Sequence, residues 1–322
     1  MNSKSILLAG FLSFASFCYS DNKPIIRLGT LAFGTVNWEL AILQQEHMLD
    51  NAEFTLQTQA LATPQAGKIA LQSGAVDIII SDWIWVSQQR SIGRDLSFYP
   101  YSSTAGAFMV HPSQSFQSPF DLKDKKLGIA GGELDKNWLL LQALAQKNQK
   151  LNDLMSNTLV FGAPPLLNQQ LLKNNIDAVM TYWHFAAKLE AEGYQRLTDS
   201  QKIISDLGIN EVVPTLGYVF NNAWAKQNKT VINQFLQLTQ QAKQRLCHSD
   251  SSWQTVIPFT REKDPTILNN LRKSYCQGLV SHFAEAEQQA AEKIYQLLRV
   301  ASHSKLTGES EQIQPGTFWN NE

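Results

Sequence analysis

Short apolar runs alternate with longer amphipathic stretches from residue 25 to about residue 220. The apolar runs are rich in β-branched and aromatic residues, which is typical of buried strands. They cover residues 25–28, 54–58, 76–80, 98–101, 108–110, 126–129, 158–161, 178–181 and 216–220. Helical patterns lie between them, at residues 36–49, 64–73, 83–92, 136–149, 165–174 and 184–192. This alternation predicts an α/β fold with mostly parallel sheets.

The chain also contains an internal repeat with a period close to one hundred residues. The matching pairs are Asn37-Trp38 and Asn137-Trp138, Pro64 and Pro164, Leu71 and Leu171, residues 76–81 and 176–181, and Trp83 and Trp183. The chain has only eight tryptophans, so two tryptophan matches in one register argue against coincidence. The repeat predicts two similar α/β lobes.

The repeat also sets the expected domain boundaries. Residues 21–104 and 215–302 are predicted to form the first lobe, and residues 105–214 the second, with a polar tail of no assigned role at 303–322. The chain then crosses between the lobes at residues 101–104 and 214–218. Two such crossings permit closure over a ligand, and the alternative is that they are ordinary loops.

The region after Tyr218 is helical in pattern, and we expect its helices to pack on the first lobe. It contains Cys247 and Cys276, which fall in consecutive helical stretches. Two cysteines in an oxidising compartment predict one disulfide, worth about 3 kcal/mol of stability from the loop that it closes. Two unpaired buried thiols are the alternative.

The N-terminus has the pattern of a secretory signal peptide. Lys4 precedes an apolar stretch at residues 6–17 that is too short to span a bilayer, and cleavage is predicted after Ser20. The second possibility is a lipoprotein that begins at Cys18, although Phe17 stands where lipoprotein signals have a small residue. The predicted location of the mature chain is the periplasm.

The charge balance bears on the partners. The formal net charge is −1, and no run of Lys and Arg occurs, so nucleic acid is not an expected partner. No motif for nucleophilic catalysis, phosphate binding or zinc binding is present, and neither a metal nor a cofactor is predicted. We expect a binding protein rather than an enzyme, and a monomer.

Ligand-binding candidates lie where strands end and helices begin. Ligands of open parallel sheets bind beyond the carboxyl ends of the strands, so the repeated loops of both lobes should face one cleft. Thr35 and Asp135 are predicted to cap the helices that follow, and Asp82 and its counterpart Tyr182 break the symmetry. The full set of ligand-binding candidates is Phe33, Thr35, Asn37, Trp38, Asp82, Trp83, Ser102, Asp135, Asn137, Trp138, Tyr182, Trp183 and Tyr218.

The chemistry of these candidates leaves the charge of the ligand open. Tryptophan faces suit a flat heterocycle, an alkyl chain or an amine. Helix N-termini instead favour an anionic or oxygen-rich group. Lysine and arginine are scarce in these loops, with Lys136 as the exception.

Three segments resemble a known family: residues 70–77 (ALQSGAVD), 121–128 (DLKDKKLG) and 175–178 (NIDA). They are similar to motifs of the periplasmic binding proteins for sulfonates, taurine and thiamine-precursor pyrimidines, over roughly residues 25–300. The resemblance implies the two-lobed periplasmic binding protein fold, a small ligand in the cleft and an ABC permease as partner. No arginine stands where a sulfonate would need one.

The expected function is therefore capture of a small organic solute, such as a heterocycle, an amine or a sulfonate-like compound, and its delivery to an inner-membrane ABC permease. Two alternatives remain open. One is a periplasmic sensor subunit that reports to a membrane kinase. The other is a precursor-biosynthesis enzyme on the same fold, which the secretion signal disfavours.

Overall fold

The structure is a computed structural model that describes residues 23–32 and 34–320. The predicted signal peptide, Cys18 and Phe33 lie outside the described residues. The strands are β1 (Ile25–Leu31), β2 (Thr55–Leu61), β3 (Ile78–Ser81), β4 (Leu96–Ser102), β5 (Gly106–Val110), β6 (Lys126–Ala130), β7 (Thr158–Gly162), β8 (Ala178–Tyr182), β9 (Gln195–Asp199) and β10 (Leu216–Asn221).

The helices lie between and after these strands, and three of them begin with proline, which is suited to the first helical turn. They are α1 (Val36–Gln45), α2 (Pro64–Gln72), α3 (Trp83–Ser91), α4 (Lys136–Lys147), α5 (Leu151–Met155), α6 (Pro164–Leu172), α7 (Trp183–Ala191), α8 (Ser200–Asp206), α9 (Asn222–Gln227), α10 (Lys229–His248), α11 (Asp250–Thr260), α12 (Pro265–Gln277) and α13 (Glu285–Ala301).

Two five-stranded mixed sheets organise the chain, and their strand orders correspond. The order is β2-β1-β3-β10-β4 in the first sheet and β7-β6-β8-β5-β9 in the second. In each sheet the first three strands are parallel and the fourth runs antiparallel to the third. We call the part built on each sheet the first and the second lobe. The predicted two-lobed α/β fold is confirmed.

The chain passes between the sheets at two neighbouring places. It leaves the first sheet after Ser102 and enters the second at Gly106, and it returns to the first sheet at Leu216. The two crossings touch, because the backbone N–H of Thr215 donates to the carbonyl oxygen of Ser102 at 2.8 Å. These are the segments proposed as hinges from sequence, and their role in closure remains a prediction.

The C-terminal helices contact both lobes, which is more than the expected packing on the first. Helices α10 and α11 pack on α1 of the first lobe. Helix α12, however, packs on α7, and α13 packs on α4, both in the second lobe. The predicted disulfide between Cys247 and Cys276 is present, with the two Cα atoms 5.6 Å apart, and it joins the ends of α10 and α12.

The tail after α13 also packs against the first lobe. The backbone N–H of Phe98 in β4 donates to the carbonyl oxygen of Thr317, and the N–H of Trp319 donates to the carbonyl oxygen of Phe98, both at 2.8 Å. The ring of Phe318 lies 6.1 Å from the ring of Phe98. This segment reads as polar in the sequence, but its few aromatic residues cover the outer edge of β4.

Candidate functional site

An ion pair joins the two lobes where strands of both sheets end. Asp82 follows β3 and caps α3, its carboxylate accepting from the N–H of Trp85 at 2.9 Å. Lys136 is the first residue of α4, which follows β6 in the second lobe. The Lys136 Nζ lies 3.2 Å from Asp82 Oδ2. The Asp82 side chain is 12% exposed, so the pair is largely shielded from water.

The charges around this pair depend on one another. Burial acts to raise the pKa of Asp82, but Lys136 and Lys68 outweigh it and hold that pKa below its usual value. Burial likewise acts to lower the pKa of Lys136, and the carboxylates of Asp82 and Asp135 raise it overall. The pKa of Lys68 is lowered, mainly by burial and also by Lys136. Both members of the pair are therefore charged at neutral pH.

Two more oxygen-bearing side chains lie in this region, Asp135 in the loop before α4 and Tyr182 at the end of β8. The Asp135 carboxylate caps α4 by accepting from the N–H groups of Asn137 at 3.0 Å and Trp138 at 3.1 Å. Burial raises the pKa of Asp135 despite these bonds. Gly131 has a φ of +92°, and a Cβ there would lie 2.9 Å from Asp135 Oδ2 and 3.1 Å from the Tyr182 hydroxyl oxygen. Glycine is thus needed for the loop to pass between the two side chains.

We expect Asp82→Asn to remove the charge while keeping the cap, since asparagine caps helices as well as aspartate does. Because the folded-state pKa of Asp82 is lowered, its carboxylate stabilises the fold at neutral pH, and this contribution is lost as the pH falls through that pKa. The difference in unfolding free energy between the wild type and Asp82→Asn should therefore shrink below about pH 4. Urea titrations at several pH values measure this difference. A difference independent of pH would contradict a stabilising role for the charge of Asp82.

An aromatic cluster forms a second contact between the lobes. Trp38 of α1 meets Trp183 of α7 edge-on, with ring centroids 6.3 Å apart. Tyr275 of α12 lies 5.4 Å from Trp38 and 6.4 Å from Trp183. A cavity of about 20 Å³ adjoins them, and it is lined by Thr35, Tyr101, Ser102, Trp183, Leu216, Lys243, Tyr275, Gly278 and Leu279. It has room for about one water molecule, so this conformation is closed around the aromatic cluster.

A buried carboxylate lies directly behind the aromatic cluster. Glu39 is fully buried and accepts hydrogen bonds from the hydroxyls of Tyr275 at 2.6 Å, Tyr101 at 2.7 Å and Tyr218 at 3.2 Å. Lys243 Nζ lies 4.0 Å from Glu39 Oε1. We call these five residues the Glu39 cluster. They come from α1, β4, β10, α10 and α12, so the cluster holds the core of the first lobe together beside the crossings.

Burial dominates the electrostatics of the Glu39 cluster. It raises the pKa of Glu39, although Lys243 and the three tyrosine hydroxyls act in the opposite direction. It lowers the pKa of Lys243 to about 8, although the carboxylate of Glu39 acts against this. The three phenol hydroxyls donate to the two carboxylate oxygens of Glu39 and so favour its ionised form against this burial.

The structure does not bring all four repeat tryptophans to one place. Trp38 and Trp183 meet at the lobe boundary, whereas Trp83 and Trp138 lie in another apolar cluster and are 3% and 2% exposed. The reason is α13, which covers α4 and sets Tyr295 within 6.5 Å of the Trp83 ring. In this conformation a ligand would reach those two rings only after the lobes had moved, and their contact with ligand stays a prediction.

The remaining candidates have identifiable structural partners. The predicted helix cap at Thr35 is wrong: its backbone is already helical (φ −70°, ψ −15°), so its hydroxyl makes no capping bond and lies 3.5 Å from that of Tyr101. Asn37 donates to the carbonyl oxygen of Leu31 at 2.9 Å, and Asn137 accepts from Ser200 at 2.6 Å. Tyr182 is 36% exposed beside the ion pair. A binding role for each of them stays a prediction.

Several important side chains were missed from the sequence. The sequence patterns single out Lys136 only as a rare cation in these loops, and they do not point to Lys68, Glu39, Lys243 or Tyr275. Lys243 had a detectable signal, since it lies four residues after Thr239 and eight after Phe235, on the buried face of α10. A charged residue on an apolar helix face indicates a buried partner.

Within residues 23–32 and 34–320, no cluster of side chains suited to a metal ion is found. The same part of the chain contains no helix with the length and hydropathy needed to cross a bilayer.

Comparison with known proteins agrees with this architecture. The family described as NMT1/THI5 like matches residues 55–249, which is more than half of the chain. No curated protein sequence matches this chain significantly.

Solved structures with the same fold cover nearly the whole chain. The periplasmic aliphatic sulphonate binding protein SsuA of Escherichia coli is 17% identical, with 92% of each chain covered and a TM-score of 0.72. The alkanesulfonate-binding protein SsuA of Xanthomonas axonopodis pv. citri, bound to MOPS, is 16% identical; 92% of this chain and 98% of that one are covered, with a TM-score of 0.67. The putative periplasmic sulfonate-binding protein SsuA of Methylobacillus flagellatus KT is 15% identical. The match covers 93% of this chain and 92% of that one, with a TM-score of 0.67.

At these identities the similarity establishes the fold, and the family match establishes the relationship. The molecule has the two-lobed periplasmic binding protein fold, as the sequence resemblance implied, and it belongs to the NMT1/THI5-like family.

Proposed function

We propose that the protein is the periplasmic solute-binding component of an ABC importer, and that it holds a small organic molecule between its lobes. The observation that carries this proposal is the pair of contacts across the lobe boundary, namely the Asp82–Lys136 ion pair and the Trp38–Trp183 contact. Charged and aromatic groups that meet only when two lobes close are suited to exchange their mutual contacts for contacts with a ligand. The structurally similar proteins that are named as sulfonate-binding proteins support the same kind of function.

The side chains at the boundary favour a ligand with an anionic head and an apolar body. Lys136 and Lys68 both lower the pKa of Asp82, so an anion that took the place of the Asp82 carboxylate would meet two ammonium groups. Trp38 and Trp183 offer apolar ring surface on the neighbouring wall. We therefore propose a sulfonate-like or carboxylate-like organic anion, ahead of an uncharged heterocycle or an amine.

A thermal-shift screen of ligand-stripped protein tests the proposal. Alkanesulfonates, carboxylates, pyrimidines and amines are compared, and we expect an organic anion to raise the melting temperature. At a hundredfold excess over its dissociation constant a ligand stabilises the fold by about 2.7 kcal/mol. The absence of any stabilising compound among the anions would count against the proposed ligand class. Stabilisation by amines alone would show that the ligand is a cation rather than an anion.

Two substitutions locate the site. We expect Lys136→Met to lower the affinity for an anion by about tenfold or more, because a charge-assisted contact is lost. Trp183→Ala should lower the affinity for any ligand whose apolar part packs on the rings of Trp38 and Trp183. Lys147→Met, in the last turn of the same helix, and Trp224→Ala, in the short helix α9, are the matched controls and should bind as the wild type does. Equal losses in the test and control variants would argue against an interlobe site.

Delivery to a permease is the second half of the proposal. In a transport assay with reconstituted permease and ATPase subunits, uptake should depend on this protein and, at limiting solute concentration, should fall with Lys136→Met. Conversion of the solute into a new product by the protein alone would instead support the enzyme alternative.

A further inference from the structure

A sizeable recess in the described part of the chain lies outside the lobe boundary. It has a volume of about 610 Å³, within the range typical of small-molecule sites. Residues of α10, β4, the loop before α13 and the C-terminal tail form its walls, and no residue of the second sheet contributes. We call it the α10 recess. Its lining is rich in amides and hydroxyls, from Tyr99, Thr239, Gln240, Gln244, Ser281, Gln288 and Asn320.

Lys243 is one of the residues that line the α10 recess, and its ammonium group has few partners. The Lys243 side chain is only 8% exposed. Among the described residues, its Nζ donates to the carbonyl oxygen of Tyr101, lies over the ring of Tyr101 at 3.2 Å, and has Glu39 Oε1 at 4.0 Å. An ammonium has three donors, so this buried cation makes fewer hydrogen bonds than it can.

Glu39 does not make up this difference. Its two oxygens already accept from three tyrosine hydroxyls at 2.6, 2.7 and 3.2 Å. These phenols spread and stabilise the negative charge of Glu39, whereas 4.0 Å is beyond hydrogen-bond range for Lys243. An acceptor in the recess would therefore complete the coordination of Lys243 without displacing Glu39.

A second underused donor lies in the wall of the α10 recess. The indole Nε1 of Trp319 is buried and makes no hydrogen bond with any of the described residues. A buried donor without a partner is costly, so an acceptor in the recess that the Trp319 ring could turn to meet would stabilise it. Two donors and a set of amides around one recess favour an acceptor-rich molecule. The other charged groups that line the recess are His282 and Glu285, both toward its mouth.

We propose that the α10 recess is a second ligand site, which binds a small carboxylate through the ammonium of Lys243 and the indole N–H of Trp319. The site is distinct from the interlobe site, and it does not depend on the proposed transport function. It shares Tyr101, Lys243 and Leu279 with the cavity at the lobe boundary, so a ligand here contacts the same walls from the other side.

Isothermal titration calorimetry with malonate as the probe tests the site. Malonamide, which has the same skeleton without charge, is the ligand control. We expect saturable malonate binding to the wild type and none for malonamide. In Glu39→Gln/Lys243→Met, which removes both charges of the buried pair together, malonate affinity should fall about tenfold or more. Trp319→Phe keeps an aromatic ring, loses the donor and should bind malonate several-fold more weakly.

Two matched lysine variants separate this site from others. Lys229→Met lies in the first turn of the same helix and should bind malonate as the wild type does. Lys136→Met disables the interlobe pair and should keep the malonate binding that depends on Lys243. Equal binding of malonate and malonamide, unchanged affinity in the double variant, or a loss confined to Lys136→Met would each overturn the proposal. Unchanged affinity in Trp319→Phe alone would overturn the part assigned to the indole.

Discussion

Replacement of Lys243 by methionine should destabilise the protein by about 3–5 kcal/mol, the largest single-residue effect that we expect. Methionine preserves most of the side-chain volume, but it leaves the Glu39 carboxylate in a fully buried position without a cation. The loss of one partner from a buried pair costs far more than the pair contributes, because the remaining charge stays desolvated. Urea unfolding at neutral pH measures the change.

Two further variants show whether the cause is electrostatic. Glu39→Gln/Lys243→Met replaces both charges by neutral groups of similar size and should recover most of the lost stability. Lys229→Met, near the start of the same helix, should stay within about 0.5 kcal/mol of the wild type. If the double variant were as unstable as Lys243→Met alone, lost packing rather than an uncompensated carboxylate would be responsible.

Removal of the disulfide should lower the free energy of unfolding by about 3–4 kcal/mol. Cys247 and Cys276 are 29 residues apart in sequence, so the bridge restricts a sizeable loop in the unfolded chain. Reduction of the wild type and the double substitution Cys247→Ser/Cys276→Ser should lower the urea midpoint similarly. Reductant should have no effect on the double variant, which is the control, and an equal effect on both proteins would exclude the bridge as the cause.

The bridge also fixes the end of α12, which contacts both lobes. Tyr275, next to Cys276, belongs to the Glu39 cluster and lies against Trp38 and Trp183. The carbonyl oxygen of Gly278 accepts from the N–H of Ser103 in the first crossing at 3.0 Å. A Cβ on Gly278 would collide with the hydroxyl of Thr104, so the helix end and the crossing are in close contact.

The fold could be predicted from the sequence because strand and helix patterns are local. The predicted strands all correspond to observed ones, and the repeat is reflected in the matching strand orders of the two sheets. Strand β9 and helices α5 and α8 do not follow from these patterns. Gln195–Asp199, for example, is an edge strand with little apolar character. The helix caps at Asp82 and Asp135 also follow from local sequence, and both are present.

The site was harder to predict, because its contacts depend on how distant elements meet. The repeat shows that Trp83 and Trp183 both begin helices, but it does not show that α13 covers only the first of them. The Asp82–Lys136 pair depends on the relative position of the lobes, and the Glu39 cluster on five elements spread from α1 to α12. No local pattern contains that information.

The position of β10 has a consequence for how the chain folds. This strand lies between β3 and β4 in the first sheet, although more than half of the chain separates it from β1. The second sheet uses one continuous stretch, so its pairings close shorter loops and are kinetically favoured. We therefore expect the first sheet to stay split during folding, with the inner edges of β3 and β4 unpaired until residues 216–221 insert between them. Hydrogen-exchange labelling of refolding protein should therefore find amides of β5, β6 and β8 protected earlier than those of β3 and β4.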